Sequence, residues 1–162
     1  MALNRTAWLD SITDTSTTIG HELGTLREFI HGTYGPQVYR YILNADVISL
    51  TAGGIVQHKT STIDGGSVIS CVTAKRARNA CPGVAQSTIP TLNYGWVLAL
   101  GRGLVRGDGN VTKDTAVMSE GTTGRAKIAT LTNADEVAAV IGWSVEDDGA
   151  ADSTFNCLVS LL

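Results

Sequence analysis

Tyr94-Gly95-Trp96-Val97-Leu98-Ala99-Leu100 is the stretch on which the reading of this chain turns. In an extended strand, alternate side chains share a face, so Trp96, Leu98 and Leu100 stand opposite Gly95, Val97 and Ala99. One face is bulky and the other nearly flat. That is the pattern of a central strand covered on both sides, with its small face close against another backbone.

Short apolar runs of the same kind extend outward in both directions. They fall at Val38 to Leu43, Gly54 to His58, Ser67 to Thr73, Gly83 to Ser87, Gly103 to Arg106, Ala116 to Ser119, Ala126 to Thr130, Val137 to Val145 and Phe155 to Leu162. Turn signals separate them at Gly53-Gly54, Asp64-Gly65-Gly66, Gly107-Asp108-Gly109-Asn110, Gly121 to Gly124 and Asp147-Asp148-Gly149. Spacing of about ten residues predicts an all-β fold, a single β-sandwich or β-barrel domain. Alternation supports the strands. Tyr39, Tyr41 and Leu43 oppose Val38, Arg40 and Ile42, while Phe155, Cys157, Val159 and Leu161 share a face, as do Ile141, Trp143 and Val145. Thr132-Asn133-Ala134-Asp135 can cap one short helix ahead of Val137, with Thr132 and Asp135 three apart.

Residues 1–24 read differently, as an extended N-terminal arm before a domain over residues 25–162. A Ser/Thr-rich stretch, Ser11 to Thr18, surrounds the isolated apolar anchors Trp8, Leu9 and Ile12. An exposed terminal Trp is a liability, which favours an arm docked on its own domain or on a neighbouring subunit. Ile19, Leu23, Leu26 and Ile30 also fit helical spacing, but Gly20, Gly24 and the β-branched Thr run weaken a helix there.

With 162 residues, the chain can bury a core without a disulfide or metal. Charged residues are only 17% of it, against a soluble average of about 25%. So charge-poor an exterior suits a protein partly covered by partners. A net charge of −3 argues against general nucleic-acid binding, which depends on clustered cations. The small cluster Lys75, Arg76 and Arg78 reads as a solvated loop. Neither a signal-type N-terminus nor a membrane-length apolar run occurs, so synthesis in the cytoplasm and no membrane partner are expected. Three cysteines, Cys71, Cys81 and Cys157, cannot all pair and are read as reduced.

No constellation for catalysis stands out, and the expectation is a non-enzyme without catalytic, metal or cofactor-binding residues. His21, His31 and His58 are scattered and lack ligand spacing. No Gly-x-Ser-x-Gly elbow occurs. Gly101-Arg102-Gly103 to Gly107 has the wrong spacing for a phosphate loop and reads as a glycine-punctuated turn. Asp108, Asn110 and Asp114 match a calcium loop only loosely, and the acidic loop of Glu146, Asp147, Asp148 and Asp152 is read as solvated by default. The aromatics Trp8, Tyr39, Tyr41, Tyr94, Trp96 and Trp143 are read as core or interface residues. An alternative makes Tyr39, Tyr41, Trp96 or Trp143 a sugar-stacking platform, in a carbohydrate- or cell-surface-binding β-module.

Several short patterns follow in order over about residues 24–162: Leu23-Gly24-Thr25, Gly32 before Tyr39-Arg40-Tyr41, Leu50-Thr51-Ala52-Gly53-Gly54, Tyr94-Gly95-Trp96-Val97, the turn around Gly107 with Thr123-Gly124-Arg125, Ile141-Gly142-Trp143 and an apolar C-terminal strand. In these the chain resembles the head decoration, or cement, proteins of tailed bacteriophages. The resemblance implies a virion structural protein on the exterior of an icosahedral capsid, where it stabilises contacts between major capsid subunits. It further implies the major capsid protein as partner and self-association into a dimer or trimer. An N-terminal arm would suit strand addition to a neighbour. Phage tail and head-fibre modules share the same Gly/Thr/Val-rich texture, and the carbohydrate- or cell-surface-binding alternative would be a module of such a fibre.

Overall fold

The computed structural model describes residues 11–59, 66–71, 80–121 and 124–162. Trp8, Leu9, Thr123 and the cluster Lys75, Arg76 and Arg78 lie outside them. The fold is all-β, with one short helix among the described residues. Its strands are β1 (Leu26–His31), β2 (Gly35–Asn44), β3 (Ile55–His58), β4 (Ser67–Ser70), β5 (Gly83–Ala85), β6 (Tyr94–Asp108), β7 (Ala116–Ser119) and β8 (Ala126–Ile128). Helix α1 (Ala134–Ala138), β9 (Val140–Ser144) and β10 (Ala151–Ser160) complete it.

All ten strands join in one sheet of order β1-β2-β4-β3-β5-β6-β10-β9-β7-β8, with further pairings β2–β6 and β6–β8. Those two pairings close the sheet twice. β2, β4, β3, β5 and β6 form one ring of strands, and β6, β10, β9, β7 and β8 form another, so β6 is common to both. β1 stands outside the rings as an edge strand, paired among the described residues only to β2. The first ring has a core of its own, and a larger core is shared by both rings. Ile42, Val56, Val68, Ala85 and Val97, one from each strand of the first ring, make a small core with Leu50 and Ile89. The larger core takes Val105, Val117, Ala126, Ile141, Phe155, Cys157 and Val159 from the second ring, and Tyr39, Tyr41, Ile55, Val84, Trp96 and Leu98 from the first. Burial of this apolar surface drives the two rings together.

The opening stretch of sequence behaves as a doubly covered strand. Trp96 and Leu98 enter the larger core and Val97 the smaller one. Yet the run does not end at Leu100. Gly101 to Asp108, read as a separate run and turn, continues β6 without a break. Gly101 is what permits this: its φ is +112°, and a Cβ there would come within 2.7 Å of the Pro36 carbonyl oxygen. A bulge accompanies it, since Val38 faces Leu100 while Tyr39 faces Leu98. The extra residue swaps which side of β6 looks inward, so Val105 rather than an even-numbered residue reaches the core. At Gly124, φ is +75° and a Cβ would meet the Ile55 carbonyl at 2.8 Å. Here the rings are tied together, with Ile55 N–H donating to Gly124 and Gly124 N–H donating to Cys71.

Four sequence expectations change. Ile19 to Ile30 holds no helix, in line with the glycines and Thr run that weakened one, but Leu26–His31 is a strand that alternation did not flag. Val137 to Val145 is split between α1 and β9. The helix cap lies one residue on: Asn133 Oδ1 accepts the Glu136 N–H at 3.0 Å, and the buried Glu136 carboxylate reaches back to Thr130 and Thr132. Finally, Ile141 and Trp143 do not share an environment. A bulge between β7 and β9 turns Ile141 fully into the core and leaves Trp143 51% exposed.

A candidate binding cleft

Residues 11–24 run across β2 and β6. Ser16 bridges Tyr94 through two backbone hydrogen bonds, Gly24 N–H donates to the Tyr41 carbonyl, and Ile12 and Leu23 pack on the larger core. Between this segment and the two strands lies an open cleft of about 380 Å³. Tyr41, Tyr94, Trp96 and His21 form its aromatic side, and Asp14, Thr15, Ser16, Thr18 and Gly20 line the rest.

The rings stand in contact with one another. Tyr41 and Tyr94 are near-parallel with centroids 6.0 Å apart, and Tyr41 and Trp96 lie 5.0 Å apart at 57°. His21 sits 5.1 Å from both Tyr41 and Trp96. These pairs are in the range where edge and offset contacts stabilise. On Trp96 also rests the Arg27 guanidinium, 5.8 Å from the ring centroid. The Tyr41 hydroxyl accepts the Gly20 N–H at 3.0 Å, which pins the segment to the wall.

Of the aromatics singled out by sequence, the cleft brings together Tyr41, Tyr94 and Trp96. Tyr39 is elsewhere: its ring is buried, its hydroxyl donates to Gln37, and burial pushes its pKa up to about 12. Trp143 lies on the outer sheet face beside its cross-strand partner Leu158. Trp8 falls outside the described residues. Sequence reasoning missed Asp14, Ser16, Thr18 and His21 as neighbours of the aromatics, because a Ser/Thr-rich stretch carries no sign of what it folds onto.

The acidic loop is not simply solvated. Glu146 accepts from the Asn156 backbone and side chain, Asp147 from Lys113 N–H, and Asp148 from Gly109 N–H at 2.6 Å and the Ser153 hydroxyl. Asp152 pairs with Arg106 and Arg125. Its carboxylates therefore hold the β9–β10 connection in place. Among the described residues, no group of three His, Cys, Asp or Glu is placed to hold a metal ion. All three cysteines are buried, and none is joined in a disulfide.

No protein-family model and no curated protein matches this chain. Among solved structures, the fold is similar to one described as the crystal structure of head fiber gp8.5 N base in bacteriophage phi29. The TM-score is 0.51 and the identity 13%, over 76% of this chain and 94% of that one. At this identity the likeness is one of fold.

Proposed function

We propose that this chain is a structural protein of a bacteriophage head, bound to the outside of the capsid with the major capsid protein as its partner, and self-associating into a dimer or trimer. The observation that carries the reading is the fold held in common with nearly the whole of a phage head-fibre base. Binding at many lattice positions would reinforce the shell by avidity, with no reaction needed.

The surface favours contact over chemistry. On the outer sheet face, Ile30, Leu100, Leu104, Leu158 and Trp143 are exposed. At one end of the first ring, Val47, Ile48 and Leu92 project from two adjoining loops, Leu92 with φ +58°. Those loops are tied together: Leu92 N–H donates to Asn44, whose side chain in turn donates to Ile48 and Ile89. A leucine in left-handed backbone costs about 1–2 kcal/mol, an expense consistent with holding its exposed side chain for a partner.

Purified, washed particles should contain the chain in fixed ratio to the major capsid protein, and particles lacking it should lose heat and osmotic resistance. Its absence from washed particles would overturn the head assignment. Full resistance without it would remove the clamping role and leave a fibre-base role.

A further inference from the structure

Strands β1, β2 and β6 share a stretch of outer face that neither core covers. The register sets it out in rows: Leu26 stands across from Arg40, and Glu28 across from Val38, which has Leu100 on its other side. Directly paired residues point to the same face, so these side chains lie together with Ile30, two positions on from Glu28. Leu26 is 49% exposed, Ile30 77% and Leu100 37%. Among the described residues, no hydrogen bond or ion pair engages the side chain of Arg40 or of Glu28. We propose that this face joins two copies of the chain about a two-fold axis, Arg40 of each copy meeting Glu28 of the other.

Charge and exposure select a second copy as the occupant. A two-fold contact sets a patch against itself, so that residue i meeting j is repeated as j meeting i. A patch with one unspent cation and one unspent anion is complementary to itself, and a dimer holds the pair twice. Arg40 has the stronger need. It is half-buried, and desolvation holds its pKa below the ordinary guanidinium value, so its charge has lost part of its water with no carboxylate in return. Glu28 of the same chain does not supply one: its row is that of Val38, which leaves it diagonal to Arg40, at about 7–8 Å between backbones. Around the charges, Leu26, Ile30 and Leu100 offer apolar area whose burial favours association and excludes water from the ion pairs. The contact rests on the self-association proposed above, and not on attachment to a capsid.

The test measures mass in solution by sedimentation equilibrium across a range of concentrations. The full chain is expected to form a dimer, and Ile30→Asp, at the most exposed of the three apolar positions, to leave monomers that melt like the parent. Arg40→Glu and Glu28→Arg each set two like-charge pairs across the axis and should weaken the dimer at least tenfold. Mixing these two variants should restore it, because a mixed dimer regains both opposite-charge pairs, which pairing inside one chain would not produce. Glu28 is exposed, so Glu28→Arg keeps a folded readout even where Arg40→Glu fails to fold. No recovery on mixing two folded variants would overturn the Arg40–Glu28 pairing. A trimer, or a dimer indifferent to Ile30→Asp and Glu28→Arg, would overturn the contact and leave self-association standing, whereas a monomer up to millimolar concentration would overturn both.

Discussion

The two halves of β6 are built from similar alternations of large and small residues, yet Gly95 to Ala99 is buried on both faces while Leu100 to Asp108 is buried on one only. Up to Leu98 the strand divides two cores, with Val97 in one and Trp96 and Leu98 in the other. Beyond the bulge, Val105 faces the core while Leu100 and Leu104 remain more than a third exposed on the outer sheet face. The difference teaches that hydrophobicity along a strand measures how much can be covered, whereas the neighbours decide how much is. In the first half, packing holds the rings together. The second half adds an outward face available to a partner.

The sharpest way to break this contrast is to truncate one tryptophan in each environment. Trp96→Ala should cost about 3–5 kcal/mol, seen as a large fall in Tm, because its ring is buried among Tyr41, His21 and Arg27. On the outer face, Trp143→Ala should stay within about 0.5 kcal/mol and, if this face meets the capsid, weaken particle binding instead. Equal losses of stability at the two positions would erase the distinction.

A smaller effect is expected where the second half of β6 ends. Asp148 accepts from Gly109 and Ser153, so Asp148→Ala should cost about 1.5–3 kcal/mol in a denaturant melt, as expected for hydrogen bonds to a charged group. If the loop were merely solvated, the melt would not move.

The mildest probe is alkaline pH. Burial pushes the Cys157 thiol up to about 12, against a lowering contribution from its backbone hydrogen bond with Trp143. The folded chain thus holds this proton more tightly than the unfolded chain. Its contribution to stability is complete below the ordinary thiol value of 9.0 and is lost as pH rises through about 12. At about pH 10 the loss from this thiol is about 1–2 kcal/mol, and Cys157→Ala should flatten that part of the stability curve. Tyr39, raised in the same way from 10.0 to about 12, should extend the decline, so an unchanged slope in Cys157→Ala would place the alkaline sensitivity there.

Much of the fold was legible because alternation is a local property. Phe155, Cys157, Val159 and Leu161 share a face in the sequence and are all buried in the larger core. The helix after Thr130 announced itself by cap residues, displaced by one position because Asn133, not Thr132, takes the extended backbone of the cap. Bulges were not legible. At Ile141 and at Leu98-Ala99, the extra residue is defined only by its partner strand, so the sequence reading carried a single parity through both. β1 was missed for a related reason: as an edge strand with Leu26 and Ile30 exposed, it shows apolar residues at a spacing that also suits a helix.

What the sequence by itself determined, then, is a chain of short strands rich in β-branched and small residues, poor in charge and without a local catalytic motif. Its period of two dictates which side chains can share a face over a few residues, and glycines mark where backbones can come close. The tertiary structure alone decided that the sheet closes twice around β6, that Trp143 faces outward while Trp96 does not, and that Asp14 to His21 lies against Tyr41, Tyr94 and Trp96. Those outcomes rest on pairings between residues far apart in the chain, and on the burial free energy of two cores formed together. No local window of sequence contains either quantity.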